Sequence, residues 1–446
     1  DVEGPGPRAP SRRATTDDAE TAVALVGGPA PASGCPSAMN FFDLNVYVNM
    51  ILYATCYQLQ RPVEPFLVKQ LGADDAAYGR LQSWFSLLNA VGAPIVGAAL
   101  DAFGARAMFM VVFASSAASY FMLSRATTLS WLFASKIPTL LQAGFLVAQA
   151  LVASHHARGP AADRAAALGR LTTAYTIGAT IGPAVGGVLG ANGDYYYGAR
   201  LAVYGSLASV ALAAMLPTHQ ADKVAKVLDK ADSPPAGKWA SACSLASRKA
   251  VFPILLVKCL SGVANSALGT AMPLQLRDAG FDEKWMGFSM SAQAFFVAFG
   301  AAFAIGPLVH ACGAKDLLRL ALLGKALVVA AMALALFFGR GLALALTVLN
   351  VLDACASHVL ATTLTTLSTG AVLPAEQGLL IGLEHFVFSA ARVVGPSLGI
   401  EIVQRASFSI LAALCAGFNA LLLAYVAQAL PPQQQTETLQ GETKMK

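Results

Sequence analysis

Pro65-Phe-Leu-Val-Lys-Gln-Leu-Gly72-Ala-Asp74-Asp75-Ala-Ala-Tyr-Gly79 is answered 208 residues later by Pro273-Leu-Gln-Leu-Arg-Asp-Ala-Gly280-Phe-Asp282-Glu283-Lys-Trp-Met-Gly287. In both stretches a proline is followed by six residues, a glycine, one residue, an acidic pair, three residues and a second glycine. Two further landmarks recur in the same order. Gly97, Asp101, Gly104 and Arg106 return with identical gaps as Gly306, His310, Gly313 and Lys315. Gly169 and Gly182-Pro183 return as Gly382 and Gly395-Pro396. Three landmarks matched in order identify an internal duplication: two parallel repeats related by an axis along the membrane normal, as in a two-bundle transporter.

The rest of the chain fits a membrane-embedded pair of repeats. Of 446 residues, 56% are apolar and only 12% charged, and the mean hydropathy is +0.59. Soluble domains run nearer 45–50% apolar and about 25% charged. Apolar segments lie near 42–66, 78–100, 107–124, 129–153, 170–190 and 198–216, and again near 251–275, 285–309, 317–338, 342–366, 377–403 and 408–430. Each is about the 20 residues a membrane-crossing helix needs. Barrel strands are shorter and alternate, so a β-barrel is excluded. The expected fold is an all-α polytopic membrane protein, with twelve transmembrane helices in two pseudo-symmetric six-helix bundles. Its parts are a disordered tail at 1–40, a first bundle at 41–216, a basic linker at 217–250, a second bundle at 251–430 and a short tail at 431–446. Loops on the tail side hold seventeen of the thirty Lys and Arg, against eight on the other side and five within spans. That split places both termini in the cytosol.

Composition also excludes function classes. The net charge of +5 is dispersed, with no basic stripe to follow a phosphate backbone, so no nucleic-acid partner is expected. Seven cysteines occur singly without a C-x-x-C pair, so neither a zinc site nor a disulfide framework is indicated. No nucleophile–base pair, nucleotide loop or other mark of an enzyme or a cofactor stands out.

Gly97-Ala-Ala-Leu-Asp101-Ala-Phe-Gly104-Ala-Arg106 resembles the loop signature of the major facilitator superfamily. Gly169, Gly178, Gly182-Pro183 and Gly186-Gly187 resemble the fifth-helix motif of its drug–proton antiporter branch. Leu132-Phe-Ala-Ser-Lys136 and Arg392-Val-Val-Gly395-Pro396 look like an organic-cation-transporter-like carrier of that branch. The resemblance covers roughly residues 41–430. It departs at Lys136, where the antiporters usually carry arginine, and at His310, where the second loop signature usually has aspartate. The resemblance implies that Gly97, Asp101, Gly104 and Arg106 form a conformational latch. It also implies that the fifth-helix glycines pack the two bundles together and seal the pathway. From the residues alone, the glycine face is equally ordinary close packing of small residues in lipid.

Ionisable groups within spans are costly, and each is a functional candidate. Asn45, Asn49, Tyr53, Tyr57, Gln60 and Glu64 fall on one side of the first helix, which faces a pathway or another helix; Arg61 stands three residues before Glu64 and offers it a partner. Lys258 and Asn265 share a face of helix 7, Asp353 lies in helix 10, and Glu384, His385 and Arg392 lie in helix 11. With Lys136 in helix 4 these form the candidate proton or substrate site: Asn49, Tyr57, Gln60, Glu64, Lys136, Lys258, Asn265, Asp353, Glu384, His385 and Arg392. Asp353 and Glu384 are the candidate proton carriers, or else halves of permanent ion pairs. Lys325 and Arg80 read as snorkelling or loop-bracing residues. The expected function is alternating-access transport of a small molecule, as proton-coupled antiport of organic cations or drug-like amphiphiles. The alternatives are uniport or symport of an anionic metabolite, which the embedded Lys and Arg suit, and a non-transporting scaffold. The expected partners are the substrate, protons and the lipid bilayer, and a monomer suffices because one chain supplies both bundles.

Overall fold

A computed structural model describes residues 40–156, 160–216, 244–335, 341–372 and 376–429. Nearly all of the expected tails and most of the expected linker lie outside them. The first half runs α1 (Phe41–Gln58), α2 (Glu64–Gln70), α3 (Asp75–Phe103), α4 (Ala105–Ser124), α5 (Leu129–Ser135), a 3-10 turn (Ile137–Leu141), α6 (Gly144–His155), α7 (Ala161–Gly190) and α8 (Tyr197–Ala214). The second half runs α9 (Phe252–Asp278), α10 (Glu283–Phe303), α11 (Ile305–Cys312), α12 (Ala314–Ala335), α13 (Leu342–Gly370), α14 (Gln377–Arg405) and α15 (Phe408–Ala429).

The described residues contain helices and no strands. Nine helical runs among them are long and apolar enough to cross a membrane. The other expected spans, carried by α1, α7 and α8, fall outside that set; α1 spends its apolar surface on Asp43, Asn45 and Asn49, and α7 is rich in Gly and Thr.

The repeats read in the sequence are local structures. Asp74 caps α3 by accepting from the Ala77 amide at 2.9 Å, and Asp282 caps α10 by accepting from the Trp285 amide at 2.8 Å. An acidic cap satisfies an orphan amide of the first turn. Gly104 (φ 81°) and Gly313 (φ 75°) both end a helix in the left-handed region, where only glycine is free of strain. The duplication extends to packing. Gly178, Gly182 and Gly186 of α7 press on α1: a Cβ at Gly186 would come within 2.8 Å of Leu59 Cα. Gly395 and Gly399 of α14 press on α9 in the same way, a Cβ at Gly399 meeting Ala267 Cα at 2.7 Å. The glycine motif expected to join the two bundles is thus divided. Its 178, 182 and 186 positions bind α7 to its own half, and Gly187 meets Gly287 of the other half, a Cβ there lying 2.9 Å from Gly287 Cα.

Two expected spans of the first half are broken. The first stops at Gln58 and resumes at Glu64, across Pro62. The fourth is interrupted between Ser135 and Gly144, where Pro138 removes an amide. The carbonyls this exposes are taken by side chains: Tyr53 Oη donates to Gln142 O at 2.7 Å, Ser119 Oγ to Ser135 O at 2.7 Å and Trp84 Nε1 to Phe133 O at 3.3 Å. Broken backbone inside a membrane protein is tolerated where protein groups or a cavity satisfy it.

Candidate substrate cavity

The two halves meet through α7 against α10 and α14 against α3. Among the described residues, the polar contacts between them lie toward the end bearing the two Pro–Gly–acidic loops. Arg277 donates to both Asp75 oxygens at 3.0 Å each, and Tyr195 Oη donates to Glu283 Oε1 at 2.6 Å. Further in, Ser83 Oγ lies 2.8 Å from Ser397 Oγ, and the Ala184 amide donates to Ser291 Oγ at 2.8 Å. A buried apolar cluster drawn from both halves, including Leu67, Tyr78, Leu81, Leu268, Met272 and Ile400, fills the same region. At Tyr195, burial and then the Glu283 carboxylate push the phenol up to about 12. That end of the molecule is sealed.

Behind the seal is a cavity of about 190 Å³ lined by Tyr53, Tyr57, Phe85, Ser86, Asn89, Gln142, Tyr175, Ser389 and Arg392. A chamber of about 50 Å³ adjoins it, sharing Tyr57, Phe85, Gln142 and Arg392 and adding Gln60, Arg61, Glu64, Gln82 and Lys136. The helix breaks build this chamber: Arg61 sits in the turn between α1 and α2, and Lys136 at the junction of α5 with the 3-10 turn. Aromatic rings form the walls, with Tyr57 stacked 6.0 Å from Phe85 and Tyr175 5.3 Å from Phe145.

Glu64 is paired with Lys136, Nζ to Oε1 at 2.6 Å, and accepts from Gln82 Nε2 at 2.7 Å. Arg61, three residues from Glu64, therefore does not neutralise it. Neither Arg61 nor Arg392 forms an ion pair with any described residue; Arg392 lies over the Phe388 ring at 5.8 Å. Lining charges are thus three cations and one carboxylate. The Gln60 amide nitrogen is buried and has no partner among the described residues.

The other candidate charges lie apart from the cavity, in the second half. Lys258 donates to Glu384 at 2.6 Å and to Thr365 at 2.9 Å, and Ser368 completes the Glu384 site. Lys325 donates to Asp353 at 2.8 Å and to Asn265 at 3.2 Å, with Ser357 alongside. Lys325 is only 2% exposed, so it is a buried ion-pair partner, and the snorkelling expectation fails because its ammonium turns inward to Asp353. Lys258 and Asn265, expected on one shared site, serve different pairs. His385 is exposed and lines neither chamber. Asn49 donates to the Asn45 side chain at 2.9 Å, and Asn45 to Leu212 O at 2.9 Å, so the start of that stripe packs against α8. Sequence reasoning missed Phe85, Gln82, Asn89 and Tyr175, and placed Arg61 only as a mate for Glu64. The 82, 85, 89 spacing on α3 was the available signal.

At the candidate latch, Arg106 donates to Ala214 O at 2.5 Å, tying α4 to the end of α8; the Asp101 side chain is outside the described set. A Cβ at Gly97 or Gly169 would meet nothing within 4 Å. The sequence indicated no metal site; the described residues bring Asp43, His155 and His156 together with ligating atoms within 4.8 Å. In this structure His156 Nε2 is 3.1 Å from Asp43 Oδ1, and His155 stacks on Phe42 at 4.0 Å.

Duplicated helical halves, apolar spans and a polar cavity lined by both halves define a multi-pass integral membrane protein of the transporter class rather than an enzyme. The sequence profile of the Major Facilitator Superfamily matches residues 46–366 and 254–444, and the chain belongs to that superfamily. Solute carrier family 22 member 18 of Mus musculus is 28% identical over 371 residues, 79% of this chain and 87% of that protein. In fold, the nucleoside transporter NupG superposes with a TM-score of 0.69 at 14% identity, covering 88% of this chain and 99% of its own. The human organic anion transporter MFSD10 gives 0.61 at 18% identity, covering 87% and 100%.

Proposed function

We propose that the chain is a secondary active transporter that carries a small aromatic organic anion by alternating access. The observation that supports the substrate class is the pair of arginines, Arg61 and Arg392, which face the cavity without carboxylate partners while Glu64 is taken up by Lys136. A cavity lined by three cations and one carboxylate repels an organic cation and attracts a carboxylate, sulfonate or phosphate. Tyr57, Phe85 and Tyr175 offer rings for stacking. The organic-cation antiport suggested by the drug-antiporter motifs thus gives way to the anionic alternative. The seal at one end, with cavity behind it, supports alternating access.

Twelve crossing helices in two bundles of six, both termini cytosolic, belong to this proposal. So does a single chain as the working unit, since both halves line the one cavity. Asp101, Gly104 and Arg106 would govern the opposite mouth.

Binding to the purified protein tests the substrate class, with naphthalene-1-sulfonate, a fixed aromatic anion, set against ethidium, a fixed aromatic cation. Thermal stabilisation by the sulfonate, lost in Arg61→Gln and Arg392→Gln, is the expected result. Stabilisation by ethidium and none by the sulfonate would sink the anionic reading.

A further inference from the structure

Asp43, in the first turn of α1, is only 4% exposed, yet no lysine or arginine among the described residues pairs with it. Buried charges are otherwise paired or bind a metal. Its partner is imidazole: His156 Nε2 lies 3.1 Å from Oδ1 and 3.2 Å from Oδ2. His155 stands beside it, the two rings meeting edge to face at 5.0 Å. One ligating atom from each of the three residues lies within 4.8 Å of the other two. Neighbours on a helix point about 100° apart. These two converge because α6 ends at His155, and His156, its cap, leaves the helical path with φ −94° and ψ 11°. Phe42 stacks on the His155 ring at 4.0 Å, and Val46 and Met50 of α1 share a buried cluster with Val147 and Leu151 of α6. The two helix ends are held together before any ligand arrives.

We propose that Asp43, His155 and His156 bind a divalent transition-metal ion of the zinc type, at the end of the first half opposite the seal. Two imidazole nitrogens and one carboxylate oxygen suit zinc and its first-row neighbours, whereas magnesium and calcium take oxygen donors. Around a tetrahedral zinc with bonds of about 2.0 Å, donors stand about 3.3 Å apart. The Asp43–His156 spacing already matches, and a swing of the His155 ring by at most about 1.5 Å completes the set. Both histidines are half-buried rather than sealed in, which leaves a way in for the ion and a fourth position for water. A single proton between His156 and Asp43 serves two groups. A dication at the same spot serves all three and supplies the positive charge that the buried carboxylate lacks.

The site is separate from the cavity. Asp43 precedes Tyr53, the first cavity residue along α1, by ten residues, roughly 15 Å of helix. None of the three ligands lines either chamber. The ion is therefore neither cargo nor part of the pathway. It bridges α1 and α6, the pieces of the two interrupted spans that lie on the far side of their breaks from the seal. Bound there, it clamps those two pieces into one body and fixes their angle, while the segments beyond the breaks keep their freedom.

Equilibrium dialysis of the untagged full chain against Zn2+, with Mg2+ and Ca2+ in excess, tests the site. The wild type should retain one zinc that the competing ions do not displace. Asp43→Asn and His156→Gln keep the side-chain size, remove one ligand each, and should weaken binding by at least about tenfold. His310 and Cys312 are exposed and two residues apart, which makes them the rival zinc ligands; His310→Gln/Cys312→Ser should bind as the wild type does. Amide hydrogen exchange on the wild type alone covers a variant that fails to fold: zinc should slow exchange at residues 42–46 and 151–156 together. A wild type that retains no zinc overturns the proposal. So does undiminished binding in both ligand variants, binding lost with His310 and Cys312, or bound zinc that leaves exchange at both helix ends unchanged.

Discussion

Ser291 Oγ accepts a hydrogen bond from the backbone amide of Ala184 at 2.8 Å, across the boundary between the halves. Its repeat-mate does the same: Ser83 Oγ accepts from the Ser397 amide at 3.2 Å. Both amides follow a helix-interior proline, Pro183 or Pro396, where the ring disturbs the helical ladder. Both serines stand four residues after a glycine, Gly287 or Gly79, that lets the helices touch. Ser83→Ala and Ser291→Ala should each weaken the sealed state by roughly 0.5–1.5 kcal/mol. Labelling of a cysteine placed at Ser389 would report it: faster labelling from the sealed side is expected, and unchanged rates in both variants would contradict the pairing.

The glycine motif predicts opposite outcomes at neighbouring positions. Gly186→Ala drives a methyl into the Leu59 backbone and should cost roughly 1–3 kcal/mol. Gly169→Ala meets nothing within 4 Å and should stay within roughly 0.5 kcal/mol of wild type. Thermal unfolding in detergent separates the two, and equal melting would refute the close approach.

At the buried Lys325–Asp353 pair, Asp353→Ala abandons a lysine that is 2% exposed. The loss should be roughly 3–5 kcal/mol. Asp353→Leu/Lys325→Met, which abandons no charge, should recover most of it. A double variant as unstable as the single one would mean that the pair does more than neutralise itself.

The sealed end should respond to alkali through Tyr195. Its phenol ionises near 12 in the folded protein rather than near 10, so the protonated form is favoured by folding. That contribution is complete below pH 10 and is lost as pH rises from about 10 to 12. Tyr195→Phe should flatten the fall in stability over that window, which pH-dependent unfolding would measure.

Much of the architecture was legible because duplication writes itself twice. The Pro65 and Pro273 loops, their acidic caps and the Gly104 and Gly313 turns could be read from spacing, since a cap and a positive φ demand particular residues at particular places. The cavity was less legible. Glu64, Lys136 and Arg392 were visible as charges in apolar runs, but their partners depend on which helices adjoin, and Arg61 looked like the natural mate of Glu64. The break at Pro138 decides otherwise by bringing Lys136 to Glu64 at the start of α2. Phe85 and Tyr175 carry no polar oddity, and nothing in a single sequence distinguishes a ring that lines a cavity from one that faces lipid.

That break also has no counterpart in the other repeat. Where the first half is interrupted at 59–63 and 136–143, the matching α9 and α13 run whole through Phe252–Asp278 and Leu342–Gly370. At these two helix pairs the duplicated halves have become unequal machine parts: α9 and α13 a stiff lever, their mates a jointed member with its hinges beside the cargo. Amide hydrogen exchange should find the fastest deep-lying amides at those two joints, and loading the carrier should quieten them while the lever stays unchanged.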